Sequence, residues 1–475
     1  MSQGAPLVLP IVDGLKVVVP DSMDLITPYV LREQQDWFEE EIRFVRRVLE
    51  PGQRAVDIGA NYGLFTLSMA KVVGREGHVW AFEPASTTAA YLERSLDANG
   101  LPNVTLRKAG LSVRAGVAEL SLNANAELNG ITRGGEAGAA GGTTERIELC
   151  SLDELDAAGT WDSVDFLKVD AEGEELRIIE GAASFLRRHS PLIQFEVKAG
   201  SKAALEPMHA FWRHGYEPYR LVPGPGVLVP FDPREAVDMY LLNLFCCKRD
   251  RAAQLAERGL LVGARDLPPP PGPDVLAARN GDGRFTWPEA LGQFPYARLL
   301  TDEWRSGPRT NERAQVERAL SLFALSRAAE VPIRDRVLAL RRSVELLEKA
   351  CTVPEFMRLA SLARAARAFG ARARTVQALG QLMSSAGQRG GLSFSEPFLA
   401  PCERFEGVDP GTRLNDWAVA AALEEFELAQ AYSSYYSPSA SLPRLKGIAA
   451  LGFGSDEMAR RLEMVQARLA TMSES

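Results

Sequence analysis

The chain is short of cysteine, histidine and basic excess, and each shortage removes a class of function. Five cysteines stand in 475 residues, Cys150, Cys246, Cys247, Cys351 and Cys402, and none forms a C-x-x-C pair. Such scatter supports neither a zinc knuckle nor a disulfide framework. Cys246 and Cys247 fall in the apolar run Leu241–Cys247 and read as strand residues. Four histidines, His78, His189, His209 and His214, make no metal-ligand spacing, so no metal site is expected from them. Acidic residues outnumber basic ones, 62 to 54, for a net charge of −8. A nucleic-acid binder needs a basic surface to neutralise phosphates, so no nucleic-acid partner is expected. No run of about 18 apolar residues occurs, which argues against a transmembrane segment. Met1–Pro10 lack the basic start and apolar stretch of a secretory signal, and a reducing, cytoplasmic location is the expectation.

What is present is an ordinary globular composition, 46% hydrophobic and 24% charged, over a length too great for one core. Through about residue 255, short β-branched or aromatic runs alternate with amphipathic helical patterns. The expected strands are Arg54–Ile58, His78–Glu83, Val104–Lys108, Phe166–Val169, Leu192–Val197 and Tyr240–Cys247. The expected helices are Gln34–Leu49, Phe65–Val72, Thr87–Asn99, Glu174–His189 and Lys202–His214. This alternation predicts an α/β fold with a mostly parallel sheet covered by helices. The proline run Leu267–Pro273 cannot extend a helix or join a sheet, and residues 256–285 read as a linker. The glycine-rich stretch Gly134–Gly142 reads as a flexible surface loop, of the kind that often covers an active site. Residues 286–475 read as an all-α domain, with helices over Arg334–Ala350, Pro354–Phe369, Ala371–Met383, Leu414–Ala431 and Asp456–Met472, and a loop at Tyr432–Pro443. Leu359, Leu362, Ala363 and Ala366 weakly resemble a tetratricopeptide helix pair, whose repeat is about 34 residues. A protein partner, or self-association, is the role such a domain suggests.

The segment Val56-Asp57-Ile58-Gly59-Ala60-Asn61-Tyr62-Gly63 joins a strand to a helix. Gly59 and Gly63 allow a sharp turn and a ligand lying against the main chain, and the following helix presents its amide end to that ligand. Glu83 closes the next strand about twenty residues on, where a carboxylate can accept from both hydroxyls of a ribose. The dinucleotide pattern G-x-G-x-x-G is missing its middle glycine here, and Asp57 would repel a diphosphate. S-adenosylmethionine carries an amine and a sulfonium and no phosphate, so the same carboxylate suits it.

In order, Asp57-Ile58-Gly59-Ala60-Asn61-Tyr62-Gly63, Phe82-Glu83-Pro84 and Leu167-Lys168-Val169-Asp170-Ala171-Glu172-Gly173 resemble the FkbM family of methyltransferases over about residues 50 to 250. The resemblance implies a class I methyltransferase (Rossmann-like) domain, S-adenosylmethionine as methyl donor, and oxygen as the usual methylated atom. It implies that Gly59, Ala60, Asn61, Tyr62 and Gly63 contact the methionine part, while Asp57, read from its place at the strand end, could accept from a loop amide or reach the methionine ammonium. It further places Glu83 and Pro84 at the ribose, and Leu111 and Ser112 near the adenine. The acceptor does not transfer, because family members act on glycans, polyketides and other natural products.

Methyl transfer requires an acceptor held in line with the methyl–sulfur bond and a group to take its proton. In an open α/β sheet these tasks fall to strand ends, where Asp170, Glu172 and Glu196 are the catalytic candidates. Asp170 leads, since it leaves the fourth strand facing the donor, although aspartate is also a good helix cap. Two or three carboxylates together would suit magnesium, which the sequence does not decide. Lys168, inside an apolar strand, needs a carboxylate partner. Asn129 is a weaker candidate for the acceptor hydroxyl, Asn-Gly being first a turn signal. The leading reading is O-methylation of a hydroxyl on a small molecule or glycan. Its rivals are a nucleotide-dependent oxidoreductase and a non-catalytic cofactor-binding domain fused to a helical interaction module.

Overall fold

The computed structural model describes residues 6–123, 125–132, 143–197, 205–268, 274–275, 285–352, 355–386 and 392–474. The chain divides into two compact units. One is Met1–Arg220 with Pro230–Arg258, the other Leu221–Val229 with Gly259–Ser475.

The first unit opens with an antiparallel hairpin, β1 (Pro6–Pro10) and β2 (Lys16–Pro20), followed by α1 (Ile26–Gln34) and α2 (Glu40–Val48). Then come β3 (Arg54–Ile58), α3 (Leu64–Val73), β4 (His78–Phe82), α4 (Ser86–Asn99) and β5 (Val104–Arg107). Four short strands, β6 (Gly110–Leu111), β7 (Gly116–Leu122), β8 (Gly130–Thr132) and β9 (Thr143–Cys150), make a separate sheet ordered β6-β9-β7-β8. The chain continues through α5 (Leu152–Ala157), β10 (Phe166–Val169), α6 (Glu175–Glu180), α7 (Ala183–His189), β11 (Leu192–Glu196) and α8 (Glu206–Arg213). Next come β12 (Glu217–Val222) and β13 (Val227–Pro230), of which Leu221–Val229 count with the second unit, and the first unit closes with β14 (Asn243–Cys247) and α9 (Arg249–Glu257).

The large sheet has the order β13-β12-β14-β11-β10-β3-β4-β5. Strands β5, β4, β3, β10 and β11 are mutually parallel, and β14 runs against both β11 and β12. The parallel strands are apolar on both faces because helices cover both; Phe166, Leu167 and Val169 are all buried. From β3 the chain builds outward through β4 and β5, then returns to the other side of β3 to lay down β10 and β11. The strand order therefore reverses between β3 and β10, and at such a point the carboxyl ends of an open α/β sheet ordinarily take a ligand.

Three expectations are corrected. The helix expected over Gln34–Leu49 is broken: α1 ends at Gln34, Gln35 is left-handed (φ 59°), and α2 starts at Glu40. Asp36, between them, is clamped by Arg46 through two hydrogen bonds of 2.7 and 2.8 Å. The helix expected over Glu174–His189 divides at Gly181, where an added Cβ would stand 2.5 Å from the Ser112 carbonyl oxygen. The loop expected at Tyr432–Pro443 is largely helical; Pro438 begins a helix that continues to Leu451 with Pro443 inside it. The glycine-rich stretch 134–142, Lys202, Pro354 and residues 269–273 of the proline run lie outside the described residues.

The second unit carries α10 (Trp287–Leu291), α11 (Pro295–Ser306), α12 (Asn311–Arg327), α13 (Ile333–Ala350) and α14 (Phe356–Phe369). After them come α15 (Arg372–Ala386), α16 (Leu414–Gln430), α17 (Pro438–Leu451) and α18 (Asp456–Glu474). Its core centres on Tyr296, Trp304, Phe398 and Trp417, all fully buried. Their polar tips are satisfied: Tyr296 donates to the Phe398 carbonyl at 2.8 Å and Trp304 to that of Phe394 at 2.8 Å, as buried Tyr and Trp require.

Candidate active site

The crevice beside β3 is floored by the loop Gly59–Gly63. Gly59 (φ 75°), Asn61 (φ 49°) and Gly63 (φ 94°) all take left-handed backbone, which turns the chain from β3 into α3 within five residues. The Gly59 and Ala60 amides both donate to the Phe82 carbonyl at 3.0 Å, tying the loop to the end of β4. Gly59 also packs on the chain leaving β10, since a Cβ there would stand 1.7 Å from the Asp170 carbonyl oxygen. The two sequence motifs thus touch, backbone against backbone.

Glu83 is buried at the tip of β4. Its carboxylate accepts from the Asn61 amide at 2.9 Å and from the Ala85 amide at 3.0 Å, so it faces the loop, with Pro84 beside it. Burial pushes its pKa up to about 7, against the lowering effect of those two amides. The remaining lone pairs of a carboxylate held in this way match the paired hydroxyls of a ribose. No middle glycine is available to admit a diphosphate, so the donor set fits an adenosyl group without phosphates.

Asp57 is fully buried. Its Oδ2 accepts the Thr66 hydroxyl at 2.6 Å, and its Oδ1 lies 3.8 Å from Lys168 Nζ. The structure therefore gives Asp57 partners inside the protein, beneath the loop, in place of an open position at the ligand. Burial raises its pKa, opposed by Lys168 and Thr66. Lys168 has the carboxylate partners its buried position demands: it donates to Asp170 Oδ2 at 2.9 Å. Burial alone would lower the ammonium's pKa, but Asp170 and Asp57 together hold it above the ordinary value. Thr66, Asp57, Lys168 and Asp170 form one chain of contacts from α3 to the rim of the sheet.

At that rim Asp170, Glu172 and Glu196 converge, one carboxylate oxygen of each lying within 4.8 Å of the others. The register explains it: Val169 pairs with Phe195, so the next residues, Asp170 and Glu196, are neighbours across two parallel strands. Glu172 joins them through a left-handed turn (φ 46°). Asp170 does not cap the following helix; the Glu175 carboxylate takes the turn amides of Ala171 and Gly173 at 3.0–3.1 Å. No metal is assigned to the three carboxylates.

Tyr62 is buried, edge-on to Tyr91 with ring centroids 5.9 Å apart. Leu111 is buried in β6, and the Ser112 hydroxyl donates to Glu174 at 3.0 Å. Asn129 acts in its own turn, its side chain accepting from the Asn123 amide at 2.7 Å. Two residues at the rim were not among the site candidates read from the sequence. Asn243 begins β14 opposite Glu196, and its side-chain amide donates at 3.0 Å to Glu39, which stands just before α2. Nothing in the sequence marks Glu39, because Gln34–Leu49 reads as one amphipathic helix.

A mostly parallel sheet with β14 inserted antiparallel, a glycine loop after β3 and an acid at the end of β4 together define a class I methyltransferase domain. Residues 57–218, about a third of the chain, match the family model described as the Methyltransferase FkbM domain. No curated protein matches the chain. Among solved structures it is similar to the methyltransferase FkbM from Methylobacillus flagellatus KT, at 18% identity and a TM-score of 0.28, covering 41% of this chain and 43% of that one. It is also similar to a SAM-dependent methyltransferase from Aquifex aeolicus (15% identity, TM-score 0.27, 46% and 93% covered). A third is a SAM-dependent O-methyltransferase from Thermotoga maritima (16%, 0.26, 52% and 78%). Among the described residues no helix is long and apolar enough to cross a membrane.

Proposed function

We propose that this protein methylates a hydroxyl oxygen on a small molecule, a sugar or glycan or another natural product, with S-adenosylmethionine as donor. The observation that carries this reading is the contact of Gly59 with Asp170. It sets an adenosyl-binding loop and a rim of carboxylates on the two sides of one crevice. When bound, the donor supplies an electrophilic methyl on a sulfonium. The chain's own part is to hold and deprotonate the acceptor. Glu83 and the Gly59–Gly63 loop hold the donor. Asp170, with Glu172 and Glu196, faces the acceptor, and the Asp170 backbone is what packs against the loop. An acidic rim favours a neutral or cationic acceptor over an anionic one, because like charges repel at short range.

Calorimetry with S-adenosylhomocysteine tests the donor side. Glu83→Ala is expected to weaken binding tenfold or more, roughly the 1–3 kcal/mol of a buried hydrogen-bonded group; unchanged affinity would remove Glu83 from the site. Hydroxyls donate to the charged carboxylate, so affinity is expected to fall as pH drops through about 7 and Glu83 takes up a proton. Isotopically labelled S-adenosylmethionine, incubated with cell extract and followed by mass spectrometry, tests the acceptor side. Asp170→Asn is expected to cut labelled product on the order of 100-fold or more with little change in donor affinity. An equal loss of both would make Asp170 a donor ligand instead.

A further inference from the structure

The geometry points to Glu39, outside the sheet and outside the matched span, as the group that receives the acceptor's proton; this rests on the methyl-transfer reading above. One row of residues crosses the rim in register: Gly59 after β3, Asp170 after β10, Glu196 ending β11 and Asn243 opening β14. Glu39 completes the row by accepting from Asn243 Nδ2 at 3.0 Å. It stands at the start of α2, where a side chain ordinarily caps the helix amides, yet it makes no cap hydrogen bond. The carboxylate is turned to the rim instead.

The groups facing Glu39 divide Asp170 from Glu39 by role. Asp170 is held by the buried Lys168 ammonium at 2.9 Å, which in turn lies 3.8 Å from Asp57. That contact commits the Asp170 carboxylate to compensating a buried lysine charge. Glu39 is bound by neutral donors, the Asn243 amide and the Trp37 indole, and the negative charge acting on it is that of Asp170. Protonating Glu39 removes a repulsion and breaks no ion pair. Burial and then the Asp170 charge push its pKa up to about 7, against Trp37, Lys168 and Asn243. A base with that value is well matched to proton transfer near neutral pH.

In the step this describes, the acceptor oxygen forms a bond to the methyl carbon while the carbon–sulfur bond breaks. The bonding pair stays on sulfur as a neutral thioether, and the hydroxyl proton passes to Glu39. Asp170, fixed by Lys168, orients the hydroxyl.

Glu39→Gln and Glu39→Asp in the full chain test the assignment, with labelled methyl transfer to the extract product measured at saturating S-adenosylmethionine so that Glu83 titration does not enter. The expected wild-type rate rises with pH through about 7. Glu39→Gln is expected to lose on the order of 100-fold in kcat and to lose that pH rise, while S-adenosylhomocysteine affinity stays within about twofold. Glu39→Asp should recover part of the rate and the pH rise. Trp37 offers a second readout, an indole fluorescence change through the same pH range that Glu39→Gln abolishes. A Glu39→Gln protein that turns over within threefold of wild type, or keeps the pH rise, overturns the assignment. A wild-type chain that binds no S-adenosylhomocysteine overturns the donor reading and this inference with it, and is distinguished by failing without any substitution.

Discussion

Alanine at position 59 is expected to destabilise the first unit by on the order of 2–5 kcal/mol and to abolish donor binding. Two costs combine. Left-handed backbone at φ 75° is unfavourable for any residue with a Cβ, by about 1–2 kcal/mol. The new methyl would also stand 1.7 Å from the Asp170 carbonyl oxygen, a backbone atom that cannot swing aside as a side chain would. Forcing atoms into packed space costs about 1–3 kcal/mol more. The strain falls on the joint between donor loop and acidic rim, so relief by loop displacement destroys the crevice. Urea unfolding followed by fluorescence of the Trp80–Trp161 pair, whose rings are 6.1 Å apart, reports the first quantity; calorimetry with S-adenosylhomocysteine reports the second. Gly100→Ala is the control, with left-handed backbone at φ 60° and ψ 48° but no atom within 4 Å of an added Cβ. It should show the backbone cost alone. Equal losses at the two positions would mean that the contact with Asp170 contributes nothing.

Lys168→Met is expected to cost about 3–5 kcal/mol, because it strips the cationic partner from a fully buried Asp57. Methionine matches the lysine stem in length and can keep its packing near the Phe65 ring, which the ammonium approaches to 5.1 Å. What is lost is therefore charge. The double variant Asp57→Asn/Lys168→Met should recover much of the loss, since no isolated charge is then buried. Unfolding curves of the two single variants and the double complete the cycle; additive losses would show that the pair is uncoupled. The sign with pH follows from the same group. In Lys168→Met, Asp57 keeps a pKa raised by burial with its main lowering influence gone. The variant is then least destabilised at acid pH, where Asp57 is protonated, and most destabilised above it.

The parallel strands were legible because burial on both faces makes them continuous apolar runs: β3 and β10 occupy the residues their sequences suggest. The donor loop was legible for a related reason, as a short glycine-bounded turn offers few alternatives. Asp57 shows the limit. Sequence places a carboxylate at the strand end but does not say which way it faces, and strand alternation with the Lys168 register turned it inward. The sheet β6-β9-β7-β8 went unread because Thr143–Cys150 alternates charged and apolar residues beside a glycine-rich stretch. Glu39 was hidden in an amphipathic run that reads as one helix. Only Gln35 in left-handed backbone and the Asp36–Arg46 clamp divide it, and these tertiary contacts redirect Glu39 from the solvent to the rim. Pro443 misled in the opposite sense, since a proline early in a helix removes only one amide while packing of Leu445 and Ile448 retains the rest.

The direction of β14 has a practical consequence for dissecting the molecule. Running against its neighbours, it delivers its first residue, Asn243, to the rim where the parallel strands end. It also sits in the interior of the sheet, between β11 and β12. A fragment cut to residues 57–218 would keep the loop that grips the donor and lose an inner strand. It would expose the bare edge of β11 to the next copy. Such a piece should aggregate before it could be assayed, and the smallest soluble catalytic fragment is expected to run from before Glu39 to beyond Cys247.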